Sequence, residues 1–170
     1  MGVDRTIGNT EAVTNAVFAA DPLTCLAQST VMFFARQDVL VERIPEYVNA
    51  LANAYHYLQP VAGTGQKLPI PSESEIARNA AGMTEDHARR RFADVARKLS
   101  DKTNMLAEHQ HDERQIVQVL AVLAQREMVN AIEALQTIKA VFEREMAAVV
   151  AGKPNLQVVG GTDRRGLHAV

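Results

Sequence analysis

The chain has 170 residues, 47% of them hydrophobic, and a formal net charge of −2 at pH 7. That length suits one domain with a core of its own, and the hydrophobic share excludes a wholly disordered chain. The near-neutral balance excludes global attraction to nucleic acid or to an anionic membrane.

Aromatic residues make up only 5% and tryptophan is absent. The core must therefore draw on Leu, Val, Ile, Met and Ala, a mixture that favours helix-on-helix packing over a β-sandwich. Cys25 is the single cysteine, so no disulfide can form within the chain, and a reducing, cytoplasmic setting is expected. No stretch approaches the roughly 18 apolar residues of a membrane span. The opening Met1-Gly2-Val3-Asp4-Arg5 does not build a signal peptide. Met1-Gly2 with Thr6 meets the loose myristoylation pattern, which is common by chance.

Residues 1–20 read as an N-terminal arm, with room for a short helix over Thr10–Ala20. Asp21-Pro22 is a helix start, because Asp caps and Pro fits the first helical position. The next segment carries Leu26, Phe33, Leu40, Ile44, Tyr47, Leu51 and Leu58 at steps of three, four and seven, which trace one amphipathic stripe. Pro45 falls inside it and is expected to kink the helix or divide it. The helix is expected to end near Gln59-Pro60, and the Gly- and Pro-rich stretch from Pro60 to Pro71 reads as a loop.

Ser72-Glu73-Ser74-Glu75 fits a capping box. Gly82 and Thr84 either end the helix that follows and cap another, or cause a local irregularity. From Met83 to Ala151 there is no Gly or Pro. Two stripes run through this stretch: Phe92, Val95, Ala96, Leu99 and Leu106, then Val117, Leu120, Ala124, Ala131, Leu135, Ile138, Phe142 and Val149. One continuous helix would put His109 or Gln110, then Glu113, on the apolar seam, where polar groups are costly. A tight turn near residues 108–112 avoids that cost, with Asp112 and Gln115 as a helix start. The resulting segments, 22–59, 72–108 and 112–151, are each about 40 residues long, lengths that suit antiparallel packing. Gly152 and Pro154 then stop the pattern, leaving residues 153–170 as a tail.

The expected architecture is all-α. It is an elongated antiparallel bundle of three or four long helices over residues 21–152, with the first long helix kinked at Pro45 and the bundle completed by oligomerisation. The last helix also carries Val119, Val122, Val129, Ile132 and Val141 away from its main stripe. Apolar residues on more than one face are expected of a helix that packs against several neighbours or a second copy.

Few residues point to chemistry. Glu108 and His111 form a Glu-x-x-His, which on a helix sets a carboxylate and an imidazole on one face. Helical di-metal sites use two such pairs, and only a two-fold dimer would supply the second here. The competing reading is a solvated turn. Arg89-Arg90-Arg91 with Arg97-Lys98 is the only basic cluster. Its residues fan around the helix, and Asp94 and Asp101 stand four residues beyond Arg90 and Arg97, so a solvated, ion-paired face is expected rather than a nucleic-acid site. No Gly-rich phosphate loop is present.

The leading functional expectation is a non-enzymatic helical scaffold or adaptor that self-associates as a homo-oligomer or binds another protein. Its interface would draw on Val117, Leu120, Ala131, Leu135, Ile138, Phe142 and Val149, with no cofactor. The alternatives are a metal-binding bundle using Glu108 and His111 at a dimer interface, and an amphipathic protein of lipid or granule surfaces.

Overall fold

Apolar periodicity and a few capping residues set the helices. A computed structural model describes residues 39–63, 65 and 68–152. A 3-10 turn over Val41–Arg43 leads into α1 (Ile44–Ala62), followed by α2 (Glu73–Ala80), α3 (Glu85–Glu108) and α4 (Arg114–Val150). No strand occurs among the described residues. The expected Thr10–Ala20 helix, the Asp21-Pro22 start, the myristoylation pattern and the tail lie outside them.

Pro45 stands in the first turn of α1. A missing amide hydrogen there costs no intrahelical bond. Before it, Leu40 is extended at φ −80 and ψ 123, so over the described residues Pro45 marks a helix start. The other end of α1 corrects the sequence expectation. Pro60 lies inside the helix, which continues to Ala62. The helix tolerates it one turn from its end because Gly63 supplies a left-handed cap at φ 64, its amide donating to the Gln59 carbonyl at 3.1 Å.

The capping box at Ser72 forms as expected. Its hydroxyl accepts from the Glu75 amide, and the Glu75 carboxylate accepts from the Ser72 amide at 2.8 Å. The Gly82 alternative resolves as a break: α2 ends at Ala80, and the Thr84 hydroxyl caps α3 by accepting from the His87 amide. The chain also turns after Glu108 and re-enters a helix at Arg114, so α3 and α4 form a hairpin. Contrary to the sequence expectation, Asp112 does not cap α4. Its carboxylate instead meets His109 Nδ1 at 2.6 Å within the turn, and Glu113 occupies the cap position with no side-chain bond.

The central element is α4, which packs against α1, α3 and α2. It spans about 55 Å at 1.5 Å per residue. Arg91 of α3 bridges Glu133 at 3.0 Å, in register with the antiparallel hairpin. Gly63 lies beside Gln118, and Tyr55 beside Gln125, so α1 also runs antiparallel to α4. In contrast, α2 runs alongside α4 in the same direction: Glu73 shares a concavity with Gln136 and Lys139, and Ala80 meets Arg144.

The core joins Leu51 and Leu58 of α1, Leu99 and Leu106 of α3, and Met128, Ile132, Leu135, Ile138 and Val141 of α4, none more than 2% exposed. Each such side chain contributes roughly 1.5–3 kcal/mol by leaving water. The buried Thr103 and Thr137 satisfy their hydroxyls by donating to the Leu99 and Glu133 carbonyls one turn back, both at 2.9 Å.

Candidate interaction surface

The seven residues expected to form an interface divide into three groups. Leu120, Ala131, Leu135 and Ile138 are buried in the chain's own core. Val117 and Phe142 are half-buried, with Val117 packed against that core. Val149 is 69% exposed. The breadth of the apolar surface on α4 has a first cause inside the chain: three helices cover it. Ile132 and Val141, which fall off the main stripe, are fully buried for that reason.

Two apolar regions of α4 remain outside. Ile116 and Val119 are 45% and 59% exposed, and Leu123 is half-buried. At 100° per residue these three fall within about 60° of one another, so they form one strip on the first turns of the helix. Gln115, Ile116, Val119 and Leu120 line a shallow apolar concavity there. Asn130 and Glu127, hydrogen-bonded to each other, follow on the same side and end the strip. Met105, exposed on the last turn of α3, stands at this hairpin end too. The second region is Met146, Val149 and Val150, where α4 runs past the Ala81–Thr84 connection beside Glu145 and Ala148.

Sequence reasoning missed Ile116 and Met146 because each is a single apolar residue off the main stripe. It also missed two polar devices. Gln125 is 4% exposed and donates from Nε2 to the Tyr55 carbonyl and to Gln59 Oε1, both at 3.1 Å. Its signal was available: an amide one turn from Ala121 and Met128 on an apolar face must be hydrogen-bonded. Arg144 donates to the carbonyls of Ala80 and Met83, tying the break between α2 and α3 to α4. Nothing in the local pattern announces that contact.

The basic cluster is consumed by pairing. Arg89 bonds Glu85 and the Val39 carbonyl, Arg90 bonds Asp86, Arg91 reaches Glu133, and Arg97 and Lys98 share Asp94. The pairs differ from the expected Arg90–Asp94 and Arg97–Asp101. Long helical side chains lean toward the helix N-terminus, so Arg89, Arg90, Arg97 and Lys98 each meet an acid behind them, while Arg91 crosses to α4. The Asp94 carboxyl sits below the usual carboxylate range, chiefly through the hydrogen bonds from Arg97 and then Lys98.

Glu108 is the last residue of α3, and His111 lies in the turn beyond it. The shared helical face that a Glu-x-x-His pair needs is therefore not formed. Among the described residues, no group of three or more His, Cys, Asp or Glu side chains is placed to hold a metal ion. No described helix is long and apolar enough to cross a membrane. The chain matches no known family model, and comparison with curated proteins and with solved structures likewise finds no match.

Proposed function

We propose that the chain is a non-enzymatic helical interaction protein that assembles with copies of itself through the outer strip of α4. The observation that carries this reading is the exposure of Val119 beside Ile116 and Leu123 on a helix whose other face is already covered. Adjacent apolar residues on one outer face gain from a partner's cover. A strip that meets its own copy about a two-fold axis satisfies that need with one surface. The helix scaffold holds the strip in place, because Leu120, Ala121 and Ala124 beneath it are locked in the core.

Light scattering across a concentration series tests the proposal. The expected result is a mass above that of one chain, falling toward one chain in Val119→Asp while helicity by circular dichroism is unchanged. A single-chain mass at all concentrations would overturn it. Leu135→Asp and Ile138→Asp are unsuitable probes, since both residues lie in the core and their loss would unfold the chain.

A further inference from the structure

We propose that α2 is a hinged strap, which undocks from α4 and unfolds as one unit while α1, α3 and α4 stay folded. Three observations carry this. First, α2 has little hold on the core. It packs chiefly against α4, and of its 8 residues only Ile76 and Ala80 are buried. Ala80 joins the continuous apolar core, whereas Ile76 is buried apart from it. A concavity of about 340 Å³ remains between the two helices, with Ile76 and Ala77 on one wall and Gln136 and Ala140 on the other. The short helix is therefore not seated flush on its neighbour.

Second, one side chain ties α2 to another helix. Among the described residues, the only hydrogen bond between α2 and another helix is the one that Arg144 donates to the Ala80 carbonyl. The same guanidinium holds the Met83 carbonyl in the link beyond. The capping box at Ser72 is internal to this helix, so it shapes α2 without anchoring it.

Third, neither end of α2 is carried on a continuous helix. Gly82, with open space around it, stands between α2 and α3. Gly63, Gly65, Pro69 and Pro71 fall between α1 and α2. A helix this short does not hold its form alone in water, so undocking and unfolding are one event. Segments with few buried apolar contacts open as such units, below the free energy of global unfolding. Opening bares Ile76, Ala80 and Ala140, at the far end of α4 from Ile116 and Val119. It leaves the Leu51, Leu99 and Leu135 core closed.

Native-state hydrogen exchange of the full chain in low denaturant tests the strap. Relative to their intrinsic rates, the amides of Ile76–Ala80 are expected to exchange at least about 100-fold faster than those of Leu99, Met128 and Leu135. They should also share one weak dependence on denaturant, because little surface is uncovered. Arg144→Met is expected to speed all of them by one common factor of about ten. Exchange in α2 as slow and as denaturant-sensitive as that of the core amides would overturn the proposal, since α2 would then open only with the whole bundle. So would rates graded from Ala80 back to Ile76, or an Arg144→Met effect confined to Ala80, because both mean fraying of one end rather than release of a unit.

Discussion

Gln125 Nε2 lies 3.1 Å from the Tyr55 carbonyl and 3.1 Å from Gln59 Oε1, so one buried amide joins α4 to two successive turns of α1. The bond fixes the sliding register of two otherwise apolar faces. Gln125→Ala removes the donor and leaves a cavity, and is expected to cost about 2–3 kcal/mol. Gln125→Met keeps most of the volume and should cost less. Gln125→Glu sets a carboxylate against acceptors, and should destabilise most at neutral pH and recover partly on acidification. Urea unfolding of the three variants gives the order. A cost for Gln125→Glu no larger than for Gln125→Met would show that the amide is not the donor described.

Two glycines should respond differently to the same change. Gly63 adopts φ 64, and an added Cβ would stand 3.1 Å from Gln118 Nε2, the far end of a movable side chain. The strained backbone is therefore the main term, and Gly63→Ala should cost about 1 kcal/mol. Gly82 has open space around it and no positive φ. Gly82→Ala should be neutral, or stabilising by about 0.5 kcal/mol through a less flexible unfolded chain. Thermal melting of the pair separates the cases, and equal losses would contradict the assigned conformations.

The capping box of α2 predicts a pH dependence. Hydrogen bonds from the Ser72 amide and then its hydroxyl hold the Glu75 carboxyl below its ordinary value. A carboxyl lowered in the folded state adds stability above its unfolded value, and loses it as pH falls through the folded one. Stability should therefore fall on acidification below the ordinary glutamate range, and Glu75→Gln should remove part of that slope while leaving neutral-pH stability nearly intact. Ser72→Ala should remove the same part and cost about 1 kcal/mol at neutral pH. Melting temperatures at neutral and acidic pH test both variants. A slope unchanged in each would dismiss the box as a stability determinant.

The main stripes of α1 and α3 were readable because one apolar side faces the core, and three- and four-residue spacing reports that directly. Ser72 and the turn after Glu108 were readable for a related reason: both rest on local polar accounting. The outcome at α4 was less legible. Leu135 and Val149 lie on one stripe, yet one is fully buried and the other 69% exposed. What separates them is where α2 ends and α3 begins beside α4, a tertiary fact that the helix's own spacing does not contain. Pro60 misled for the complementary reason. A proline opposes a helix locally, but Gly63 beyond it and the burial of Leu58 and Ala62 carried α1 through one more turn.

Arg144 gives the last prediction. Its guanidinium donates to the carbonyls of Ala80 and Met83, at the end of α2 and in the link to α3. Carbonyls at a helix end lack intrahelical donors, and a cation there also opposes the negative end of the helix dipole. Glu145 lies 3.9 Å from the same guanidinium, on the next residue, too long a contact to compete for its donors. Arg144→Met keeps the aliphatic stem and removes the donors, and should cost about 1–2 kcal/mol. The loss should be local: hydrogen exchange should accelerate over Ala80–Thr84 and the first turn of α3, and stay unchanged near Gln125. Arg144→Lys should recover little, because a single ammonium does not match two carbonyls held by a planar fork. Exchange accelerated equally along all of α4 would mean that Arg144 stabilises the whole bundle rather than this joint.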